Sequence, residues 1–356
     1  MRIPTYARYK YCINRSCEFL EEFDISQFPL NPFAIIELNR WAVVTYSETA
    51  SEWNCTIDDV ILSVGSRDAK AIYNGNNYLI IYNDLQPKKR ILFTLMHEIG
   101  HVYLHHLTDF EHTEIHRGSL TKSENKVLEN EANTFARNVL APATFVRLLN
   151  DKSKKNLSRY FGISYSAAEA RLELLESDWQ YAIYNGIQSR LRLLFYKFYY
   201  RNGCTNCNAI IFIRDAIYCP VCGKKKLKWG DGQVIYKKYD THKETNKVKV
   251  CPNCDNEETD IPGDYCHICG KPLINKCDDR GWDDAPFQDG RPCGKTIPSN
   301  ARYCPYCGNK ATFFNEYILK EWHIEKQDQE TEDEVDDSIA QFMNIPDGND
   351  EELPFN

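Results

Sequence analysis

The residues with the clearest chemical potential lie in the run His97-Glu98-Ile99-Gly100-His101. Two imidazoles four residues apart lie one turn apart on the same face of a helix, close enough to bind one metal ion. Glu98 is rotated by about 100° from His97, which places its carboxylate beside the ion and not on it. From there it can take a proton from water bound to zinc. The pattern predicts a hydrolytic zinc site with Glu98 as general base.

The alternative is that these residues share a solvated helix face by chance. Residues 91–96, which precede them, are apolar except for Thr94. A helix with so apolar a start does not lie on the protein surface with all its faces in water. We therefore predict a largely buried helix from Ile91 to His106, which favours the metal site.

A catalytic zinc also needs a third protein ligand and an open position for water. His105 lies about 12 Å beyond His97 on the same helix, too far to share its ion. We therefore expect His105 and His106 to be ordinary histidines at the helix end. The third ligand must come from another segment, and a second helix predicted from about Ser123 to Leu140 offers Glu124, Glu129 and Glu131.

Glu129 and Glu131 point about 200° apart on that helix, so at most one of them can reach the zinc. Glu129 shares its stripe with Ala136, whose small side chain lets another helix approach, whereas Glu131 shares its stripe with Asn138 and is expected on a solvated side. This geometry favours Glu129 only modestly. Outside candidates in the loop are Asp109, Glu111, His112, Glu114 and His116, and the residues that could assist at an oxyanion are Tyr73, Tyr82, His112 and His116.

The elements that must position these residues begin with a β-hairpin. Ala71–Tyr73 and Tyr78–Tyr82 are β-prone and flank an Asn-Gly turn at residues 74–77. Pro87 suits the first turn of the helix that follows. The strand Tyr78–Tyr82 could be a free edge that binds an extended substrate, or an interior strand. A hairpin followed by long helices predicts an α+β domain.

Several segments together resemble one known family. They are Arg90–Leu95 leading into His97–His101, Glu129-x-Glu131-Ala132-Asn133 continuing to Leu140-Ala141-Pro142, the strand end Tyr82–Asp84, and Phe161–Ser164 with Ala167-Ala168 and Arg171-Leu172. In these motifs, over about residues 28–176, the chain resembles the ImmA/IrrE metallopeptidases. The resemblance implies a zincin-like fold, with helices packed on a small β-sheet.

The same resemblance implies a gluzincin-like zinc metalloendopeptidase, with the catalytic zinc bound by His97, His101 and Glu129. Its substrate would be a protein, a partner helix-turn-helix repressor of a phage, a mobile element or a stress regulon. Several relatives end soon after this domain, whereas this chain continues. The rival hypothesis is a non-cleaving adaptor of the antirepressor or antitoxin type, which binds protein or nucleic acid through the cysteine-rich region.

That region holds twelve of the fifteen cysteines. Two quartets have identical spacing, and a third stretches the first pair. The quartets are Cys204, Cys207, Cys219 and Cys222; Cys251, Cys254, Cys266 and Cys269; and Cys277, Cys293, Cys304 and Cys307. Four thiolates at such spacing are typical of closed structural zinc sites. We predict three small zinc ribbons, so that the chain binds one catalytic and about three structural zinc ions.

Composition sets the remaining boundaries. We predict a metallopeptidase domain at 1–185, zinc ribbons at 200–245, 246–272 and 273–314, and a disordered acidic tail at 325–356. The net charge of −8 belongs to that tail, because residues 328–356 hold eleven acidic residues and no Lys or Arg. The remaining +3 excludes a polycation that coats nucleic acid.

Two further expectations concern partners and location. Lys224–Lys249 carries nine lysines against three acids, and could contact DNA or RNA or simply be a solvated linker between ribbons. The chain shows no export signal at its start and no apolar run near the ~18 residues that a membrane span needs. These features predict a soluble protein in the cytoplasm without a membrane partner.

Overall fold

The computed structural model describes residues 3–109, 120–278 and 293–327. The chain forms two compact units, Met1–Tyr199 and Tyr200–Asn356. The combination of helices with small sheets confirms the predicted α+β class. No helix in the described ranges is long and apolar enough to cross a membrane. Nearly all of the predicted acidic tail, and the loop candidates Glu111, His112, Glu114 and His116, lie outside the described residues.

The first unit contains a three-stranded sheet of β1 (Ala42–Thr45), β2 (Ala69–Tyr73) and β3 (Tyr78–Tyr82). Strands β2 and β3 form the predicted hairpin, with Ala71 opposite Ile80. Strand β1 pairs with β3 in parallel, so the order across the sheet is β1-β3-β2. Of the two alternatives for Tyr78–Tyr82, the interior strand is therefore the one found, and β2 is an outer strand.

The rest of the first unit is largely helical. Thr45, Thr56 and Thr121 each start a helix with a capping box, in which the threonine and the acidic side chain three residues later bind each other's backbone N–H. The helices are α1 (Tyr9–Glu22), α2 (Pro32–Leu38), α3 (Tyr46–Trp53), α4 (Ile57–Val64), α5 (Lys88–Tyr103), α6 (Lys122–Leu140), α7 (Ala143–Val146), α8 (Lys154–Phe161), α9 (Tyr165–Glu173), α10 (Leu175–Tyr184), α11 (Ile187–Leu194) and α12 (Tyr196–Tyr199).

Helices α5 and α6 pack closely in the core of this unit. Leu95, Met96 and Ile99 of α5 and Phe135 of α6 are completely buried, and burial of each such side chain stabilises the fold by about 1.5–3 kcal/mol. Gly100 permits the close approach, because a Cβ at this position would lie 3.0 Å from the ring of Phe135. The helix with the histidine motif thus faces the helix with the candidate glutamates.

Helix α1 packs against α5 and α6 in the same core. Its Phe19 is fully buried and contacts Phe135 edge to face, with 5.3 Å between the ring centroids. At the start of α1, the guanidinium group of Arg8 binds the carboxylate of Glu131 on α6.

The second unit contains little regular structure. It has a small sheet of β4 (Asn202–Cys204), β5 (Ile210–Ile211) and β6 (Leu227–Trp229) in the order β5-β4-β6, and a short helix α13 (Thr312–Asn315). Its buried clusters form around the cysteines. One contains Cys204 with Ala209, Ile211, Val221 and Tyr236, and another contains Cys251 and Cys304 with Val248, Leu273, Ile297 and Phe313. The buried cysteines of the quartets are therefore part of the cores of this unit.

The lysine-rich segment Lys224–Lys249 is partly built into this unit. Tyr236 and Val248 are buried in the two clusters. Lys247 is also buried, and its ammonium group donates a hydrogen bond to the backbone carbonyl of Ile261. The segment is thus more than a solvated linker, and its contact with nucleic acid stays a prediction.

Candidate metal centre

Helix α5 places the two motif histidines against each other. The Nε2 atoms of His97 and His101 are 3.1 Å apart, as expected for imidazoles one turn apart on one face. His101 is almost completely buried, with 1% of its side chain exposed, and His97 keeps 13% exposed. The pair therefore lies at the inner end of an opening to solvent.

Helix α6 brings Glu129 to the same point. Its Oε2 atom lies 3.1 Å from Nε2 of His97, and its Oε1 atom lies 3.6 Å from Nε2 of His101. Burial opposes ionisation of Glu129, but the neighbouring imidazoles of His101 and His97 hold the pKa of its carboxyl group far below the usual range. Glu129 is thus an ionised carboxylate, the form that binds a metal ion.

The three side chains suit zinc. Ligand atoms about 2.0–2.1 Å from a tetrahedral zinc ion lie about 3.3 Å from one another, and the distances here are 3.1, 3.1 and 3.6 Å. The three residues form one of the groups in the described chain whose ligand atoms all lie within 4.8 Å of one another. Two nitrogens and one carboxylate oxygen are the ligand set of a catalytic zinc, whose fourth position takes water or substrate.

Glu98 lies beside this group and not within it. Its carboxylate is buried, and Oε2 accepts a 2.6 Å hydrogen bond from the backbone N–H of Ala71 on β2. Ala71 is in an outer strand, so its N–H serves the site and not a neighbouring strand. This bond holds the predicted base between the histidine pair and the sheet.

The outer nitrogen of His97 is held by α6. Nδ1 of His97 lies 3.0 Å from Oδ1 of Asn133. Because an amide oxygen can only accept a hydrogen bond, Nδ1 carries the proton. Nε2 then has a lone pair on the side where the Glu129 carboxylate lies. This is the tautomer that a zinc ligand requires.

The outer nitrogen of His101 begins a longer chain of buried groups. Nδ1 of His101 lies 3.0 Å from Nδ1 of His106, and Nε2 of His106 lies 3.1 Å from Oε2 of Glu131. Arg8 donates to both carboxylate oxygens of Glu131, from Nε at 2.9 Å and from Nη2 at 2.8 Å, and its backbone N–H donates to Oε1 at 2.7 Å. The side chains of His106 and Glu131 are completely buried.

This chain sets the tautomers of both histidines. Burial opposes ionisation of Glu131, but hydrogen bonds from Arg8 and His106 lower the pKa of its carboxyl group to about 2, so it acts only as an acceptor. Nε2 of His106 must therefore carry a proton, and its Nδ1 accepts the proton of His101 Nδ1. The Nε2 atom of His101 is then unprotonated, as in the carboxylate–histidine–zinc arrangements of metal sites.

Two expectations from the sequence were wrong here. Glu131 was expected on a solvated side of its helix, and it is fully buried. His106 was expected to be an ordinary histidine at the helix end, and it contacts a predicted zinc ligand. The apolar neighbours Leu104 and Leu107, both buried, were a signal that this helix end lies inside the protein.

Residues 56–173 match the model of one protein family, described as the IrrE N-terminal-like domain, Peptidase M78. This part of the chain is therefore similar to that family, which is of the metallopeptidase type. The match confirms the resemblance drawn from the sequence motifs. The matched residues include His97, His101 and Glu129. No curated protein matches the chain significantly.

A cleft of about 1290 Å³ opens onto the candidate metal centre of the first unit. Asp68 and the first two residues of β2, Ala69 and Lys70, line one part of it, and α9 lines another part with Ser166 and Ala167. His97, Glu98 and Glu129 also line the cleft. The cleft is therefore large enough to hold several residues of a peptide next to the base and the ligands.

The structure locates two of the predicted oxyanion helpers. The hydroxyl group of Tyr73 donates to the carbonyl of Gly75 within the hairpin turn, and the ring of Tyr82 packs edge to face on Phe33. Neither residue is among the described residues that line the cleft. His112 and His116, the other two candidates, lie outside the described residues.

The second unit brings each cysteine quartet together. Sulfur ligands 2.3 Å from a tetrahedral zinc ion lie about 3.8 Å from one another. The shortest Sγ–Sγ distances are 3.6 Å in the first quartet, 3.6 and 3.7 Å in the second, and 3.3 to 3.8 Å in the third. The three groups therefore fit zinc ribbons, including the third with its stretched spacing.

Proposed function

We propose that this protein is a zinc-dependent endopeptidase. The observation that carries the proposal is the convergence of Nε2 of His97, Nε2 of His101 and the Glu129 carboxylate beside the buried carboxylate of Glu98, at the inner end of a wide cleft. The family match supports a metallopeptidase in general. The assignment of His97, His101 and Glu129 as ligands of the HExxH site is part of this proposal.

Zinc bound by these three residues would supply Lewis acidity, which acidifies water and polarises the carbonyl of the scissile peptide bond. Glu98 is the general base that takes a proton from the attacking water. The same carboxyl group then gives that proton to the nitrogen of the leaving amine. Its hydrogen bond from Ala71 keeps the carboxylate oriented through both proton transfers.

The outer strand β2 gives the cleft a way to bind an extended peptide. An extended chain can pair with an exposed strand through backbone hydrogen bonds, in a manner independent of side-chain identity. Ala69 and Lys70 of β2 line the cleft, and Ala71 directs its N–H to Glu98. We propose that substrate backbone lies along β2, so that the scissile bond meets Glu98.

The substrate is proposed to be a DNA-binding repressor of the helix-turn-helix class that controls a phage, a mobile element or a stress response. The support for this is the match to the IrrE N-terminal-like domain and a cleft large enough for a segment of a protein chain. The cysteine quartets are proposed to hold structural zinc, so the full chain would bind about four zinc ions.

The test uses the zinc-loaded full chain and the repressor encoded beside its gene. The wild-type protein should produce discrete fragments, and mass spectrometry of both fragments would identify one cut bond. Glu98→Gln keeps the shape of the side chain but removes the base, so cleavage should fall about 100- to 10,000-fold while zinc content stays the same. Glu52→Gln, the same substitution at an exposed position in the same unit, is the matched control and should cleave normally.

Two results would contradict the proposal. Cleavage at the wild-type rate by the Glu98→Gln variant would exclude this residue as the base. Stable binding of the repressor without any cut, by protein with its full zinc content, would instead favour the non-cleaving adaptor.

A further inference from the structure

The second unit repeats one short motif three times, a tyrosine followed by Cys-x-x-Cys-Gly. We call these segments knuckle 1 (Tyr218–Gly223), knuckle 2 (Tyr265–Gly270) and knuckle 3 (Tyr303–Gly308). Each contains the second cysteine pair of one quartet, and its glycine has a positive φ of 73°, 73° or 83°. The three knuckles thus share sequence and local backbone shape, but their surroundings differ.

Knuckles 1 and 3 bind each other through their backbones. The N–H of Tyr218 donates to the carbonyl of Pro305 at 2.9 Å, and the N–H of Tyr303 donates to the carbonyl of Pro220 at 3.0 Å. The N–H of Ile217 also donates to the carbonyl of Pro305, and the N–H of Arg302 also donates to the carbonyl of Pro220, both at 2.8 Å. Each knuckle therefore gives and receives the same bonds, as in a two-fold symmetric pair.

The tyrosine rings repeat this reciprocity. A Cβ built on Gly223 would lie 2.9 Å from the ring of Tyr303, and a Cβ built on Gly308 would lie 2.7 Å from the ring of Tyr218. Each ring thus lies directly on the glycine of the opposite knuckle, at a distance that only glycine allows. In knuckle 1 the second of the two residues between the cysteines, Val221, is buried as well.

Knuckle 2 has the same parts but no such partner among the described residues. Tyr265 is 61% exposed, and Ile268, which corresponds to Val221, is 65% exposed. A Cβ on Gly270 would meet no atom within 4 Å. In the described chain the N–H groups of Asp264 and Tyr265 have no backbone acceptor, although their counterparts in knuckles 1 and 3 do.

The charges next to knuckle 2 do not oppose an apolar contact. Asp264 forms an ion pair with Lys276, and Lys271 forms another with Glu316 at 2.9 Å. The charged side chains that flank the knuckle are therefore already neutralised within the unit. Knuckle 2 presents to solvent the side chains of Tyr265, His267 and Ile268, together with backbone donors that have no backbone acceptor among the described residues.

We propose that knuckle 2 pairs with knuckle 2 of a second copy of this chain, in the two-fold arrangement that knuckles 1 and 3 form within one chain. Tyr265 of each copy would then lie on Gly270 of the other, and the N–H of Tyr265 would donate to the carbonyl of His267. A two-fold interface must be complementary to itself. The pair of knuckles 1 and 3 shows that this motif can bind another copy of the same motif.

The contact is small, because a knuckle has only six residues. Interfaces of this size are weak, so the dimer is expected to dissociate in the micromolar range. In a two-fold interface one substitution changes both partners, so its energetic effect on dissociation occurs twice per dimer. Ile268→Asp places two carboxylates in the contact and should raise the dissociation constant at least tenfold.

Sedimentation equilibrium of the zinc-loaded full chain tests the proposal. The wild-type protein should form a dimer at micromolar concentration, and Ile268→Asp should remain a monomer at the same concentration with unchanged zinc content. Ile235→Asp is the matched control, because Ile235 is 70% exposed in the same unit but lies outside knuckle 2. This variant should dimerise like the wild type.

Either of two results would overturn the proposal. One is a wild-type protein that stays monomeric over the whole micromolar range, which would leave a ribbon of another protein as the partner of knuckle 2. The other is a dimer that persists in Ile268→Asp, which would place the interface elsewhere. Because the measurement needs no substrate, its outcome is independent of the proposed peptidase activity.

Discussion

Glu129 and Glu131 lie two residues apart on α6, yet their carboxylates contact different histidines of the candidate metal centre and its surroundings. Glu129 is within 3.1 Å of His97. Glu131 is within 3.1 Å of His106, which in turn contacts His101. One helix therefore supplies both a predicted ligand and the buried acceptor that orients another ligand.

The two glutamates should respond differently to the same substitution. Glu129→Gln removes a charged ligand, so metal affinity at this centre should fall by more than the roughly 10- to 100-fold typical of a lost outer contact. Glu131→Gln should lower affinity within that range, and should also destabilise the metal-free protein because the Arg8 guanidinium loses a buried carboxylate partner.

Cobalt can report on this centre separately from the ribbons, because only thiolate ligands give intense sulfur-to-cobalt charge-transfer bands. Cobalt titration would measure the affinity at the nitrogen and oxygen site, and urea unfolding of metal-free protein would measure stability. Equal loss of affinity in both variants, with equal stability, would contradict the assignment of the two roles.

The histidine pair and the cysteine quartets could be predicted from the sequence because their geometry is local. A helix fixes the distance between His97 and His101 through its own backbone bonds, and Cys-x-x-Cys pairs form within one turn of chain. The environment of Glu131 is not local. It depends on Arg8, which is 123 residues away along the chain, and no periodicity in α6 reports on that contact.

The same distinction applies to the sheet and to the ribbons. The hairpin of β2 and β3 was predictable from its Asn-Gly turn, but the position of β3 in the centre of the sheet depends on its parallel pairing with β1. Three similar ribbons were predictable from spacing, whereas the contact of Tyr303 with Gly223 depends on how two of them pack. Long-range contacts of this kind leave no regular pattern in the sequence.

His106 should increase the metal affinity of the centre through its contact with His101. His106→Asn is too short to reach both His101 and Glu131, so it should lower metal affinity at this centre about 10- to 100-fold. His105→Asn is the control, because His105 is exposed and its φ of 59° suits asparagine. The cobalt titration described above measures both variants. A similar small change in the two would mean that His106 only fills space.

Removal of metal should affect the two units differently. Most of the quartet cysteines are buried in the cores of the second unit, and metal binding provides much of the folding energy in such small domains. A strong chelator should therefore remove about four zinc ions per chain and expose residues 200–327 to protease. The first unit contains nearly all described helices, so the helical circular dichroism should persist. Loss of that signal together with the zinc would contradict independent folding of the first unit.

The energy of packing between knuckles 1 and 3 can be measured with glycine-to-alanine substitutions, with knuckle 2 as the reference. Gly223 and Gly270 both have φ of 73°, so alanine strains the backbone equally at the two positions. Only at Gly223 would the new Cβ meet a ring, that of Tyr303 at 2.9 Å. Gly223→Ala should therefore lower the free energy of unfolding of the second unit by about 1–3 kcal/mol more than Gly270→Ala does. Denaturant unfolding would compare the two variants at submicromolar concentration, where self-association is negligible. Equal losses of stability in the two variants would show that the ring does not press on Gly223.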